Sequence, residues 1–224
     1  MNQRILNIVK KHPKVLNFIL HTEKEVEKYG VKIDLRYSNK VMANGLRCSG
    51  FFDSTSKTFV CGVKKPLSVW LPIYVHEYCH FLQWRDGSVY FDPRYPRYCE
   101  STVDDWLAGN SFSKTKIFNS IEASKECELD CEKRVVKLIK KFNLPMDVDN
   151  YIKRANVYVM FYNYVMIRRK WVPKGKPMPY NIKKLRELFP PRFLKSYESI
   201  PMKYLQELDK EYGTESKILI KKKK

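Results

Sequence analysis

Histidine is scarce in this chain. His12, His21, His76 and His80 are the only ones in 224 residues, and none follows His80. That excludes every metal-binding pattern in which a third histidine comes soon after a pair. No run is long and apolar enough to span a bilayer, so no membrane association is expected. Met1-Asn2-Gln3-Arg4 leads into a mixed polar helix, not a secretory signal, and the expected location is cytoplasmic. The six cysteines include no C-x-x-C pair. Cys127 and Cys131 lie four apart on one predicted helix, poorly placed for a disulfide and without a second pair for a structural zinc site. Buried free thiols are the expectation, a Cys48–Cys61 bridge across a hairpin being the main exception. No internal repeat is present.

Acidic residues are also few, 24 against 43 basic ones, for a net charge of +19. The imbalance is uneven. Residues 1–130 carry 19 basic and 15 acidic groups (+4), and residues 131–224 carry 24 and 9 (+15). Such a field attracts nucleic acid or other polyanions. A solvated basic surface explains the same numbers, so non-specific nucleic-acid binding through the second half stands as one of two readings.

What is present reads as follows. Helices are expected over 3–11 and 14–29, separated by His12-Pro13, with Gly30 stopping the second. Val31 to Tyr37 alternates as a half-buried strand. Leu46–Phe52 and Thr58–Val63 are β-rich runs joined by the polar turn 53–57. A helix follows over 67–84, with Pro72 placed as a first helical residue. Residues 85–113 are mostly irregular, with a short helix over 101–107. A long helix is expected over 116–142, another over 148–171, and short ones over 181–189 and 201–212. Lys221–Lys224 is expected to be disordered.

The helix over 67–84 carries His76-Glu77-Tyr78-Cys79-His80, an H-E-x-x-H run in an almost wholly apolar stretch. Residues four apart share a helix face, so both imidazoles can aim at one point. Glu77 lies beside them, within reach of a water at that point. Two neutral nitrogen ligands and a carboxylate base are what a zinc hydrolase needs. Two histidines and a glutamate on a buried helix also need a partner to satisfy them.

A third protein ligand must then be acidic. On the long helix, Ile117, Ile121, Val135, Leu138, Ile139 and Phe142 form one apolar stripe, which passes through Ser124, Glu128, Cys131 and Glu132. Glu128 is the best candidate on that ground, with Glu132, one turn on, as partner to a histidine N–H. Glu126 with Asp130 has the same spacing but lies on the opposite face.

At this point the chain resembles the gluzincin metallopeptidases. The second run, Glu128-Leu129-Asp130-Cys131-Glu132, is similar to the E-x-x-A-D run of M48-type peptidases, with Cys131 at the small position and Glu132 in place of aspartate. The strand, hairpin and helix order also looks like that of minimal zincins and small phage-encoded metallopeptidases. The resemblance covers roughly residues 31–142. It implies an α+β, zincin-like fold with a small sheet on the H-E-x-x-H helix and a second ligand-bearing helix. Residues 1–145 would be the peptidase core, and 146–224 a basic, mostly helical extension packed on it. It implies Zn2+ held by His76, His80 and Glu128, with Glu77 as general base and a peptide or protein as substrate. If phage-encoded, the protein would work in a host cytoplasm. Tyr158, Tyr162 and Arg154 are available as oxyanion donors, although tyrosine is abundant here and core packing is their more ordinary role. The rival reading is a basic nucleic-acid-binding protein with a structural or degenerate metal site, using Arg168-Arg169-Lys170-Trp171 as a phosphate and stacking patch.

Overall fold

In a computed structural model, the structure describes residues 3–43, 45–92, 94–95 and 100–213. The fold is α+β, as expected. Among the described residues there are eight α-helices, a three-stranded mixed sheet and a two-stranded one. Contacts divide the chain into two units, residues 1–96 with 127–148, and residues 97–126 with 149–224. Cys99 and the lysine tail at 221–224 lie outside the described residues.

The first unit begins with α1 (Gln3–Val9) and α2 (Pro13–Glu27). Pro13 opens α2, where its missing N–H leaves no bond unmade. The strands are β1 (Lys32–Arg36), β2 (Val41–Ala43), β3 (Leu46–Cys48), β4 (Gly50–Asp53) and β5 (Thr58–Gly62). β5 is central, parallel to β1 and antiparallel to β4, so β4 is an edge of the sheet. The run Leu46–Phe52 is therefore not one strand. Its first part pairs with β2 in a separate ribbon, and the chain turns at Ser49, whose carbonyl accepts the Gly62 N–H at 2.9 Å. Cys48 and Cys61 end up in different sheets, and both are free thiols.

Helix α3 (Leu67–Arg85) lies against β4 and β5. It starts before Pro72, which stands inside the helix instead of opening it. Proline there removes one backbone bond. Burial of Trp70, Leu71, Tyr74, Val75, Tyr78, Cys79 and Phe81 outweighs that loss. Phe18 of α2 packs edge-on against Tyr74 at 6.0 Å and Tyr78 at 5.8 Å, and Phe59 of β5 meets Tyr74 at 4.9 Å. Truncating a buried ring of this kind costs about 3–5 kcal/mol. The apolar face of α3 is thereby anchored, and its opposite face carries Ile73, His76, Glu77 and His80.

The long helix α5 (Lys114–Phe142) contributes its later part to this unit and its earlier part to the second. The second unit also holds α4 (Glu100–Leu107), α6 (Val148–Arg168), α7 (Lys183–Arg186) and α8 (Met202–Tyr212). Val103, Ile117, Ile121 and Tyr162 form one of its apolar clusters. α6 ends at Arg168, earlier than its periodicity suggests. Arg169 takes a left-handed φ of 49°, and its guanidinium donates to the carbonyls of Trp106 and Asn110, each at 2.8 Å.

Candidate metal centre

The i, i+4 spacing on α3 stacks the two imidazoles. His76 Nε2 lies 3.1 Å from His80 Nε2. Glu128 of α5 completes a triangle, its Oε2 3.4 Å from His76 Nε2 and 3.8 Å from His80 Nε2. Three donors around a tetrahedral zinc, with bonds of about 2.0–2.2 Å, stand roughly 3.3–3.5 Å apart. The three atoms fit that spacing to within a few tenths of an ångström. The side chains of His76, His80 and Glu128 are 18, 15 and 15% exposed, shielded from bulk water yet reachable by a small ligand.

The other ring nitrogen of His76 faces away from this point. Its Nδ1 lies 3.4 Å from Glu132 Oε1 and 3.6 Å from the Cys131 thiol, which also donates to the His76 carbonyl at 3.4 Å. Two groups with metal-ligand chemistry are found among the described residues, His76-His80-Cys131 and His76-Glu128-Glu132, and Glu126 is in neither.

Electrostatics separate the two histidines. Burial pulls His76 down, but its bond to Glu132 and the charges of Glu132, Glu128 and Glu77 outweigh this and lift it to about 10. Burial and the neighbouring His76 charge push His80 down to about 4. Burial raises Glu77 above the usual carboxylate range, against the pull of His76 and His80. Glu77, Glu128 and Glu132 thus gather around the two imidazoles in a half-buried place, a donor set that could hold a metal ion.

Glu77 is fixed from the sheet side. The Phe52 N–H of β4 donates to its Oε2 at 3.1 Å. Gly50 makes this approach possible. A Cβ there would stand 2.9 Å from Ile73 Cγ2, 3.1 Å from the Val60 carbonyl and 3.2 Å from Glu77 Cγ.

Two residues at the site escape a reading by periodicity. Gln83 is fully buried, and its Oε1 lies 2.9 Å from His80 Nδ1. Asp130 does not simply face away from α3, since its Oδ2 accepts from Gln83 Nε2 at 2.8 Å. Cys127 and Asp130 lie off the apolar stripe of α5, yet both meet Gln83 of α3. The usable signal was Gln83 itself, a neutral polar residue three beyond His80 in an apolar run.

Other expected groups have partners within the second unit. Arg154 lies over the Tyr180 ring, and the hydroxyls of Tyr158 and Tyr162 stand 3.4 Å apart, all within the second unit. In the basic run, Arg168 holds the buried carboxylate of Asp209 through both its oxygens. Trp171 packs edge-on against Phe161 and Tyr162. No described helix is long and apolar enough to cross a membrane. Compared with known protein families, curated proteins and solved structures, the chain matches none.

Proposed function

We propose that the protein is a zinc-dependent peptidase of the gluzincin kind. The observation that carries this reading is the triangle of His76 Nε2, His80 Nε2 and Glu128 Oε2, with its 3.1, 3.4 and 3.8 Å sides. These three residues would hold the metal. When bound, zinc supplies a Lewis acid that polarises a carbonyl and makes water a better nucleophile. Glu77 accepts the proton of the attacking water and returns it to the leaving amine. Its raised affinity for protons suits that exchange. The Phe52 N–H orients the carboxylate, and Glu132 orients His76 through Nδ1.

A peptide substrate is supported by where Glu77 sits. β4 is a sheet edge beside it, and an extended chain can add to such an edge by main-chain hydrogen bonds. The alternative, a basic nucleic-acid-binding protein, draws on the +15 of residues 131–224. The internal bonds of Arg168 and Arg169 weigh against the patch it would use.

The test is a pair of measurements on one variant. Glu77→Gln should keep about one zinc per chain and the native fold but lose hydrolysis of a casein-like substrate. Hydrolysis that survives in this variant removes Glu77 as the base.

A further inference from the structure

Among the described residues, Gln83 is the amide buried beside the two histidines, and each of its polar atoms has a defined partner. Its Nε2 faces two groups that only accept, the Cys127 carbonyl at 2.9 Å and Asp130 Oδ2 at 2.8 Å. A flipped amide would set its oxygen against both, so the NH2 end is assigned to that side by chemistry. The oxygen is left facing His80 Nδ1 at 2.9 Å, with the Cys127 thiol 3.7 Å from it. An amide oxygen only accepts, so Nδ1 must carry the proton. A neutral imidazole has one N–H, and Nε2 is therefore a lone pair. Gln83 is 0% exposed, and no bulk water competes for these positions.

We propose that Gln83 is a positioning residue that sets the tautomer of His80, keeping its proton on Nδ1 and its Nε2 lone pair toward His76 and Glu128. Asp130 and the Cys127 carbonyl fix Gln83 in the orientation that does this. The assignment rests on the reading of His76, His80 and Glu128 as a metal site. Asp130 is itself held by Arg134, whose Nε lies 2.8 Å from Oδ2 and whose Nη1 lies 2.6 Å from Asp86 just beyond α3. The chain His80, Gln83, Asp130, Arg134, Asp86 thus ties the last turn of α3 to α5 and leaves the amide no alternative pose. The two ligand histidines are handled differently. His76 is backed by a carboxylate, and His80 by a neutral amide that orients the ring without adding charge.

The tautomer can be read without metal, from the side-chain nitrogen shifts of His80 in 15N-labelled, chelator-treated wild-type protein. The expected result is the Nδ1–H form, and an Nε2–H form overturns the proposal. Gln83→Leu should shift His80 toward the Nε2–H form and weaken zinc binding by about 10–100-fold. Wild-type tautomer and affinity in that variant also overturn it. Should Gln83→Leu fail to fold, the wild-type measurement decides alone. A wild-type protein that binds no zinc would end the metal reading, while the tautomer result would still stand for or against the role of Gln83.

Discussion

Each unit holds a buried polar assembly, and the two are built to opposite ends. In the second unit Lys125 is almost fully buried, and its ammonium has three donors. They go to Glu122 at 2.6 Å, Asn163 Oδ1 at 3.2 Å and the Tyr197 carbonyl at 3.1 Å. Asn163 donates in turn to the same carbonyl at 2.8 Å. Cation meets anion, donors meet acceptors, and the set is closed. In the first unit, two ring nitrogens and a carboxylate oxygen converge on one point. A network that satisfies itself rigidifies a core. One whose possible ligand atoms converge is a set that could hold a metal ion. Burial and polarity are common to both, so neither property distinguishes a site from a scaffold here.

Substitutions should break the two assemblies in different currencies. His76→Ala and His80→Ala should each abolish zinc binding, measured as metal content of protein purified without chelator. Full retention in both would remove the metal reading. Lys125→Met should leave zinc per folded chain unchanged but lower stability by about 3–5 kcal/mol, since Glu122 loses its cation and two acceptors lose a donor. Denaturant unfolding in the presence of chelator measures this. A change in zinc stoichiometry without a loss of stability would erase the distinction drawn between the assemblies.

The acids of α5 sharpen the contrast further. Glu128→Gln should cut zinc affinity severely in a titration. Glu132→Gln should cost about 10–100-fold, because it touches His76 only through Nδ1. Glu126→Gln should change it little. If Glu126→Gln is the variant that loses metal, the placement of α5 against α3 is wrong. Gly50→Ala should have the smallest effect on metal. The new Cβ would force β4 and α3 apart at Glu77, destabilising the fold by about 1–3 kcal/mol and slowing hydrolysis with zinc still bound.

Much of the first assembly was legible because helical periodicity is local. Spacing alone stacks His76 on His80, and the stripe through Ile121 and Val135 carries Glu128 and Glu132 toward the interior. The α+β class follows from the order of runs. What was not legible depends on how elements meet. The break at Ser49 reflects a choice between two strand partners, which β-rich composition does not encode. Pro72 sits within α3 because burial of Trp70 and Tyr74 outweighs one missing bond. The roles of Gln83 and Asp130 need the packing of α3 on α5. Arg168 and Arg169 read as a free basic patch until Asp209 and the carbonyls of Trp106 and Asn110 are placed beside them.

The thiol that donates to the His76 carbonyl has a consequence for kinetics. Cys79 and Cys131 are both 0% exposed, one on α3 and one on α5. An alkylating reagent can reach them only when the two helices part. Cys48, half-exposed on its ribbon, needs no such opening. The rate at which the buried pair is modified, set against that of Cys48, therefore clocks the local opening of the helix pair. A ligand that bridges His76 and His80 to Glu128 clasps the same two helices together, and so slows that clock.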